Sequence, residues 1–446
     1  MMELFTFMKV SSNSPRPDLN SFIDKYPSCR LALAMLLTGI FVLRFPDLLL
    51  HPQFWAEDGS VFFREAYCLG AKSLFLTYQG YYHLIPRLTA LLSGFFAQTH
   101  APALYCGTAI SLTALVLYLT LSPRLSLPYK PLLALLIVII PAGSEICGNI
   151  TNIQWYLAVG LLVVFLMKPA ESKIILGLEA VYVSAVAFTG PFALLLIPAM
   201  VLVLKANWSV TAARRRSILL TTAAAGISLV QLNSLLTHGI SLPGIKSADN
   251  LRPLDYLTII PDVTFLHIGM PYLRGINYIH PIIQDSVLSG SLCYFSYISL
   301  IAILLLYAAS ISGKKYLTEK YVIACFGLIV LFTGYYKIRY IFAAHNYLGS
   351  GHRYLFIPSL MLSWTFALML RDSIIKHIAA VLLALLLITA VYDYRRAPFI
   401  DFKWPSLISR AEIDSRTRIP INPHGWSINM NCNEPDGGAP SIFFTR

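Results

Sequence analysis

Long apolar runs carrying almost no charge constrain this chain more than any other feature. The segment HIAAVLLALLLITAVY, residues 377–392, is typical of them. Over 446 residues, 57% are hydrophobic and only 13% are charged, against about 25% charged in an ordinary soluble domain. A soluble domain of this length has no core large enough to hide so much apolar surface. A bilayer can take it up if each span satisfies its own backbone hydrogen bonds, which means helices. A transmembrane β-barrel would instead show alternating segments of about ten residues. The expected fold is therefore all-α: a polytopic transmembrane helical bundle.

The runs fall at 31–48, 102–121, 131–142, 155–168, 174–188, 190–205, 217–236, 287–309, 321–336, 354–370 and 377–392, which predicts about eleven spans. Several are shorter than the roughly 20 residues that a perpendicular span needs, as happens where helices line a polar cavity. Residues 1–30 are mostly polar, and no small-residue cleavage site follows the first run, so that run reads as a permanent anchor.

The net charge of +12 fits a positive-inside bias better than nucleic-acid binding. Lys and Arg gather in 1–30, in 205–216 with Arg214, Arg215 and Arg216, in 310–320, and in 371–376. These segments are expected on the cytoplasmic side. The exterior segments then include 51–101, 143–154, the Gly190-Pro191 turn, the long loop 237–286, 337–353 and a small appended tail, 393–446. With the N-terminus inside and 143–154 outside, either the run LIPRLTALLSGFFA (84–97) or the run 131–142 does not cross; Arg124 and Lys130 favour keeping 122–130 inside, so 84–97 is expected to be re-entrant or interfacial. The domain reading is a cytoplasmic segment 1–30, a transmembrane domain 31–392 and the tail. Seven cysteines show no CxxC spacing, and several lie in apolar runs, where Cys behaves as a small hydrophobe. Cys68 and Cys432 can pair if both face an oxidising compartment; spacing alone does not decide it.

Polar residues in such a chain are expensive and therefore informative, and they cluster on the predicted exterior side. The first exterior loop, HPQFWAEDG, carries Glu57 and Asp58; Asp58 also suits a helix N-cap for SVFFREAYCLG. His83 and Arg87, four residues apart, share one helix face and suit a phosphate, although an Arg there can also snorkel to headgroups. Asn152, Gln154 and Trp155 open a span with amides and an indole that suit sugar hydroxyls, as does Tyr82 in GYYH. His352, Arg353 and Tyr354 enter a late span and can grip a phosphate through charge-assisted bonds. Arg44 and Asp47 read as a local ion pair. There is no Walker A sequence, HExxH, zinc-spaced Cys/His set or GxSxG elbow.

An acidic pair in the first exterior loop of a many-helix chain resembles the GT-C glycosyltransferases, polytopic enzymes that use polyprenyl-phosphate sugars. PQFWAEDGSVFFREA, GYYHLIPRLTA, NIQWYLA, GPF and HRYLFIPSL together look like bacterial membrane proteins that glycosylate surface polysaccharides, the O-antigen-modifying glucosyltransferases being the nearest analogy. The resemblance covers residues 30–370 in outline. The acids are adjacent here rather than spaced as in DxD.

The resemblance implies an inverting sugar transfer at the periplasmic face of a bacterial inner membrane, from a polyprenyl-phosphate donor to a glycan acceptor. Asp58 or Glu57 would be the base. Arg87, His83, Arg353, His352 and Tyr354 would hold the donor phosphate, and Asn152, Gln154, Trp155 and Tyr82 the sugar or acceptor. No cofactor and no obligatory metal are expected. A lipid-linked sugar flippase or transporter would instead carry mid-span charge and an internal repeat, which spans such as 217–236 lack. A polysaccharide polymerase or ligase would concentrate basic residues in late exterior loops, as 237–286 does in part with Lys246, Arg252 and Arg274.

Overall fold

The computed structural model describes residues 19–141, 145–238, 260–261, 264, 268–269, 292–310, 315–343, 351–371, 375–413 and 418–433. Most of the 237–286 loop, residues 1–18 and the end of the tail lie outside them. The described chain is mostly helical, and the apolar runs fall on its helices. Four stretches are long and apolar enough to cross a membrane: Pro27–Arg44, Gln98–Thr120, Thr211–His238 and Leu317–Tyr336. Others, such as Lys130–Ile139, Ile153–Leu166, Phe192–Ala206 and Lys376–Tyr392, are equally apolar but shorter.

Two short helices form the middle of the bundle. Phe356–Met369 is buried along its whole length, and Ile153–Leu166 along nearly all of it. A helix apolar on every face belongs in such an interior. Peripheral helices keep an outward apolar stripe instead; Pro27–Arg44 exposes Leu31, Met35, Leu36 and Leu43. In water that stripe would be costly, whereas lipid accepts it.

The bundle has two chemically different ends. At one, buried cations are answered by acids and by carbonyl oxygens. Arg216 donates to Glu179 at 2.7 Å, to Met167 O at 3.0 Å and to Val164 O at 2.6 Å. Arg124 reaches the other Glu179 oxygen at 2.5 Å and the Lys168 carbonyl. Lys130 pairs with Asp24 and with Ser122 O. Those carbonyls close helix ends, where four oxygens lack intrahelical partners. The opposite end gathers 47–83, 145–155, 187–191, 231–238 and 351–356. There Ser234 holds Gly80 O, and Gln231 holds Tyr82 O and Ala187 O.

The helix Leu84–Ser93 stays at this second end. Leu84 N donates to Phe188 O, and Trp404 Nε1 donates to Gln98 O just beyond the helix. Pro86, Arg87, Ala90 and Ser93 face inward, while Leu88, Leu92, Phe95 and Phe96 are exposed. A ten-residue helix spans about 15 Å, half of a hydrocarbon core of about 30 Å. Its split faces suit a position at the boundary between lipid and water.

Arg44 and Asp47 do not pair with each other. Phe45 leaves helical geometry ahead of Pro46, as a residue before proline tends to do, so the two side chains do not share a helix face. Arg44 donates to Val138 O and Ile140 O instead. Asp47 accepts from Arg396 Nη2 at 2.8 Å and from Phe399 N at 3.1 Å.

The Glu179 cluster yields a stability prediction. Glu179→Ala leaves Arg216 buried without its carboxylate, and breaking a buried pair this way costs about 3–5 kcal/mol. A clear fall in the melting temperature of detergent-purified protein should follow. An unchanged melting temperature would mean that the carbonyl oxygens alone suffice.

Candidate functional site

The first loop is held from outside by the tail. Ala56 N donates to Asn422 O, and Asn422 N returns a bond to Phe54 O. Arg64 donates to Asn429 O at 2.7 Å and Asn431 O at 3.1 Å. Cys68 and Cys432 form a disulfide. The Arg418–Ile421 and Trp426–Asn429 strands pair antiparallel and place Ile421 and Ile428 on Gly59, where a Cβ would meet Ile428 Cδ1 at 2.7 Å. The tail is thus a brace on the acidic loop rather than an appendage.

Asp58 is not a helix cap. It begins the short helical stretch Asp58–Phe63, and no side chain caps that stretch. Its carboxylate is turned inward to the 145–155 segment and is 2% exposed. One oxygen accepts from Ile150 N at 3.1 Å. The other accepts from Thr151 N at 2.8 Å and from the Thr151 hydroxyl. Burial pushes this carboxyl up to about 7, against the pull of the three hydrogen bonds, and the neighbouring Glu57 adds to the rise. Two main-chain N–H groups with no other acceptor explain why the acid sits there.

Glu57 points elsewhere. It is partly exposed and accepts from the Tyr78 hydroxyl at 3.3 Å. The hairpin Thr77–Tyr78/Tyr81–Tyr82 pairs Tyr78 with Tyr81, so both rings share a face. Burial raises the Tyr81 phenol above its ordinary range, and Tyr354, Arg353 and Glu57 all lie near enough to influence it. Arg353 in turn lies over the Tyr354 ring, 5.2 Å from its centroid. Tyr354 meets Trp155 edge-on at 5.3 Å, and Trp155 meets Phe192 at 4.6 Å. The indole N–H of Trp155 and Oε1 of Gln154 are buried without a protein partner. Gly190 lies beside them, and a Cβ there would stand 2.1 Å from that Gln154 oxygen and push the amide aside. Glu57, Tyr78, Tyr81, Gln154, Trp155, Arg353 and Tyr354 therefore meet in one place.

The remaining candidates take other roles. Arg87 is buried, pairs with Glu65 at 2.6 Å and lies over Phe62; its Nε and Nη2 have no protein partner. It neither snorkels nor opens fully to the cluster. His83 lies tilted against Tyr81, 4.4 Å between ring centroids, and against Phe62 at 5.3 Å. Burial, with Arg87 adding, pushes its imidazole down to about 3, so it is neutral and the pair supplies one cation rather than two. Asn152 is scaffolding: its amide donates to Glu145 O at 2.8 Å. Tyr82 lies on the hairpin face opposite Tyr78 and Tyr81, its main chain bound to Gln231. The side chain of His352 lies outside the described residues.

Three participants were not singled out from the sequence. Thr151 supplies two of the Asp58 bonds, Tyr78 holds Glu57, and Glu145 binds the turn that carries Arg353, accepting from Gly351 N and Arg353 N. A lone acid just ahead of NITNIQW was the available signal for Glu145. Among the described residues, no three His, Cys, Asp or Glu side chains come together in a way that would hold a metal ion. No protein-family model, curated protein or solved structure matches the chain.

Asp58 gives the protein a pH dependence with a definite sign. The unfolded chain titrates this carboxyl near 3.8 and the folded chain near 7. Between those values the folded state binds the extra proton, so stability is greatest below the unfolded value and falls as pH rises through the folded one. The slope of melting temperature against pH in that window should flatten in Asp58→Asn. A slope that persists in the variant would belong to another group.

Proposed function

We propose that this protein is a membrane glycosyltransferase of GT-C-like architecture. It crosses the bilayer about eleven times, with the basic end cytoplasmic and the site end exterior. It moves a sugar from a polyprenyl-phosphate donor to a surface polysaccharide or another glycan acceptor. Its home is a bacterial inner membrane, with the site on the periplasmic face. What supports this most is the convergence of a carboxylate, a cation and sugar-sized aromatic surfaces at one end of a lipid-facing bundle. Glu57, Arg353, Trp155, Tyr354, Tyr78 and Tyr81 come from segments far apart in the chain. The Cys68–Cys432 bridge on the same side suits an oxidising compartment.

In this mechanism Glu57 is the base. It is the more accessible acid, whereas both oxygens of Asp58 are engaged. An acceptor hydroxyl attacks the anomeric carbon and gives its proton to Glu57. The bond from that carbon to the phosphate oxygen breaks, and the polyprenyl monophosphate departs with the electron pair. One displacement means inversion. Arg353 offsets the charge growing on the phosphate, with Arg87 contributing from deeper in the protein. Trp155 and the tyrosines give the sugar apolar faces, and Asp58 keeps the 150–155 wall in register with Glu57. Two arginines can serve a monophosphate leaving group without a divalent cation.

The test is transfer from a panel of polyprenyl-phosphate sugars by the purified protein in lipid nanodiscs. Glu57→Gln and Asp58→Asn should each lower transfer by more than tenfold, about 1.4 kcal/mol or more in the barrier, while membrane insertion is retained. Full activity in both single variants would remove the base from this loop. Movement of the intact lipid-linked sugar across the bilayer without transfer would make the protein a flippase.

A further inference from the structure

We infer that Glu145 is a positioning residue that presents Arg353 to the phosphate monoester of a lipid-linked substrate. This rests on the glycosyltransferase reading for the identity of the substrate, but not for the binding of the anion itself.

The inference comes from how Glu145 divides its bonds. Its carboxylate accepts from Gly351 N at 3.2 and 3.3 Å and from Arg353 N at 3.2 Å. Gly351 has a φ of +96° and stands immediately before the helical stretch His352–Leu355, which runs on into Phe356–Met369. The first N–H groups of a helical stretch lack internal partners, and Glu145 supplies an acceptor from another part of the chain. The backbone that carries Arg353 is thereby fixed.

The guanidinium itself is held more loosely. Arg353 Nη1 stands 3.7 Å from Glu145 Oε1, and the arginine side chain is 30% exposed. Three other arginines among the described residues sit much closer to their acids: Arg87 at 2.6 Å from Glu65, Arg216 at 2.7 Å from Glu179, and Arg396 at 2.8 Å from Asp47. In each of those pairs one N–H is committed to the carboxylate at hydrogen-bond distance. At 3.7 Å the carboxylate orients the cation through charge without taking its N–H groups at hydrogen-bond distance; Tyr354 shares a side-chain hydrogen bond with the guanidinium, which has five N–H donors to offer. An incoming phosphate oxygen can take those N–H groups in charge-assisted bonds.

The same residue also holds the opposite wall. The main-chain oxygen of Glu145 accepts from the amides of Asn149 and Asn152, which shape the turn leading into Gln154 and Trp155. Glu145 therefore sets the spacing between the cation and the aromatic surface on which a sugar would lie.

The experiment is a double-mutant cycle on the full-length protein in detergent, with farnesyl phosphate as the probe and farnesol as the neutral control. Glu145→Ala and Arg353→Ala should each weaken farnesyl phosphate binding by about tenfold. The double variant should be no weaker than Arg353→Ala alone, because coupled residues are not additive. Farnesol binding should not move. Glu145→Asp should recover part of the loss, and Glu145→Gln, which keeps an oxygen for the main chain but loses the charge, should recover less. In the transfer assay the donor KM should rise in Glu145→Gln while the acceptor KM stays the same.

Unchanged farnesyl phosphate binding in both Glu145→Gln and Glu145→Asp would overturn the inference, even if Glu145→Ala fails to fold. Additive losses, equal losses for farnesol, or no binding to the unaltered protein would also overturn it. Anion binding that follows this pattern without any sugar transfer would leave the positioning role standing and remove the glycosyltransferase assignment.

Discussion

The site end of the protein depends on the carboxylate of Asp58 lying against the main chain of Ile150 and Thr151. Two buried N–H groups and a hydroxyl need an acceptor there, and an unmade bond to a buried polar group costs about 1–3 kcal/mol. The acid that answers them comes from a loop more than ninety residues earlier. The bond ties the loop after the first long helix to the segment that opens the central Ile153–Leu166 helix. With that distance set, Glu57 is left facing Tyr78, and Trp155 is left facing Tyr354. The same burial that makes the latch costly also lifts its carboxyl towards neutrality. The latch is therefore sensitive to pH in a way that an exposed acid would not be.

The tail secures the latch from the other side. Arg64, Gly59, Ala56 and Cys68 of the first loop each meet a tail residue, through a charge-assisted bond, a close apolar contact, a main-chain bond and a disulfide respectively. Arg396 adds a fixed point after the last long helix, sandwiched between Phe45 and Phe399 and paired with Asp47. A short loop bearing two adjacent acids would otherwise be free to splay, since like charges repel and loop ordering is entropically costly. A covalent and hydrogen-bonded brace removes that freedom without burying Glu57.

Cations are distributed by the same logic. Arg44, Arg216 and Lys130 end on carbonyl oxygens that close helix termini. Arg87 and Arg396 end on carboxylates. Arg353 departs from this pattern through its long separation from Glu145 and its exposure. Satisfying charge internally is what permits so many cations in an apolar bundle, and a partly exposed cation whose acid stands beyond hydrogen-bond distance leaves room for a ligand's charge.

The sequence by itself determined that the chain is a helical bundle with an outward apolar surface, because apolar run length and charge scarcity are properties of contiguous residues. It also marked which segments carry polar chemistry, and most of them meet: Glu57 with Arg353, Tyr354, Gln154 and Trp155. Partner choice was decided only by the tertiary structure. Arg44 and Asp47 are neighbours in the chain, yet Pro46 turns them to separate partners in 138–140 and at Arg396. His83 has the spacing of a second cation, but burial among aromatic rings leaves it neutral. Cys68 and Cys432 are 364 residues apart in sequence; a shared side of the bundle made the pair possible, and packing of the tail on the first loop brings the two sulfurs together. Glu145 looked like a lone acid because its donors, Gly351 and Arg353, lie two hundred residues further on. Periodicity and composition act along the chain. Hydrogen bonds and ion pairs at a site act across it, and only the packing of the helices brings their two halves together.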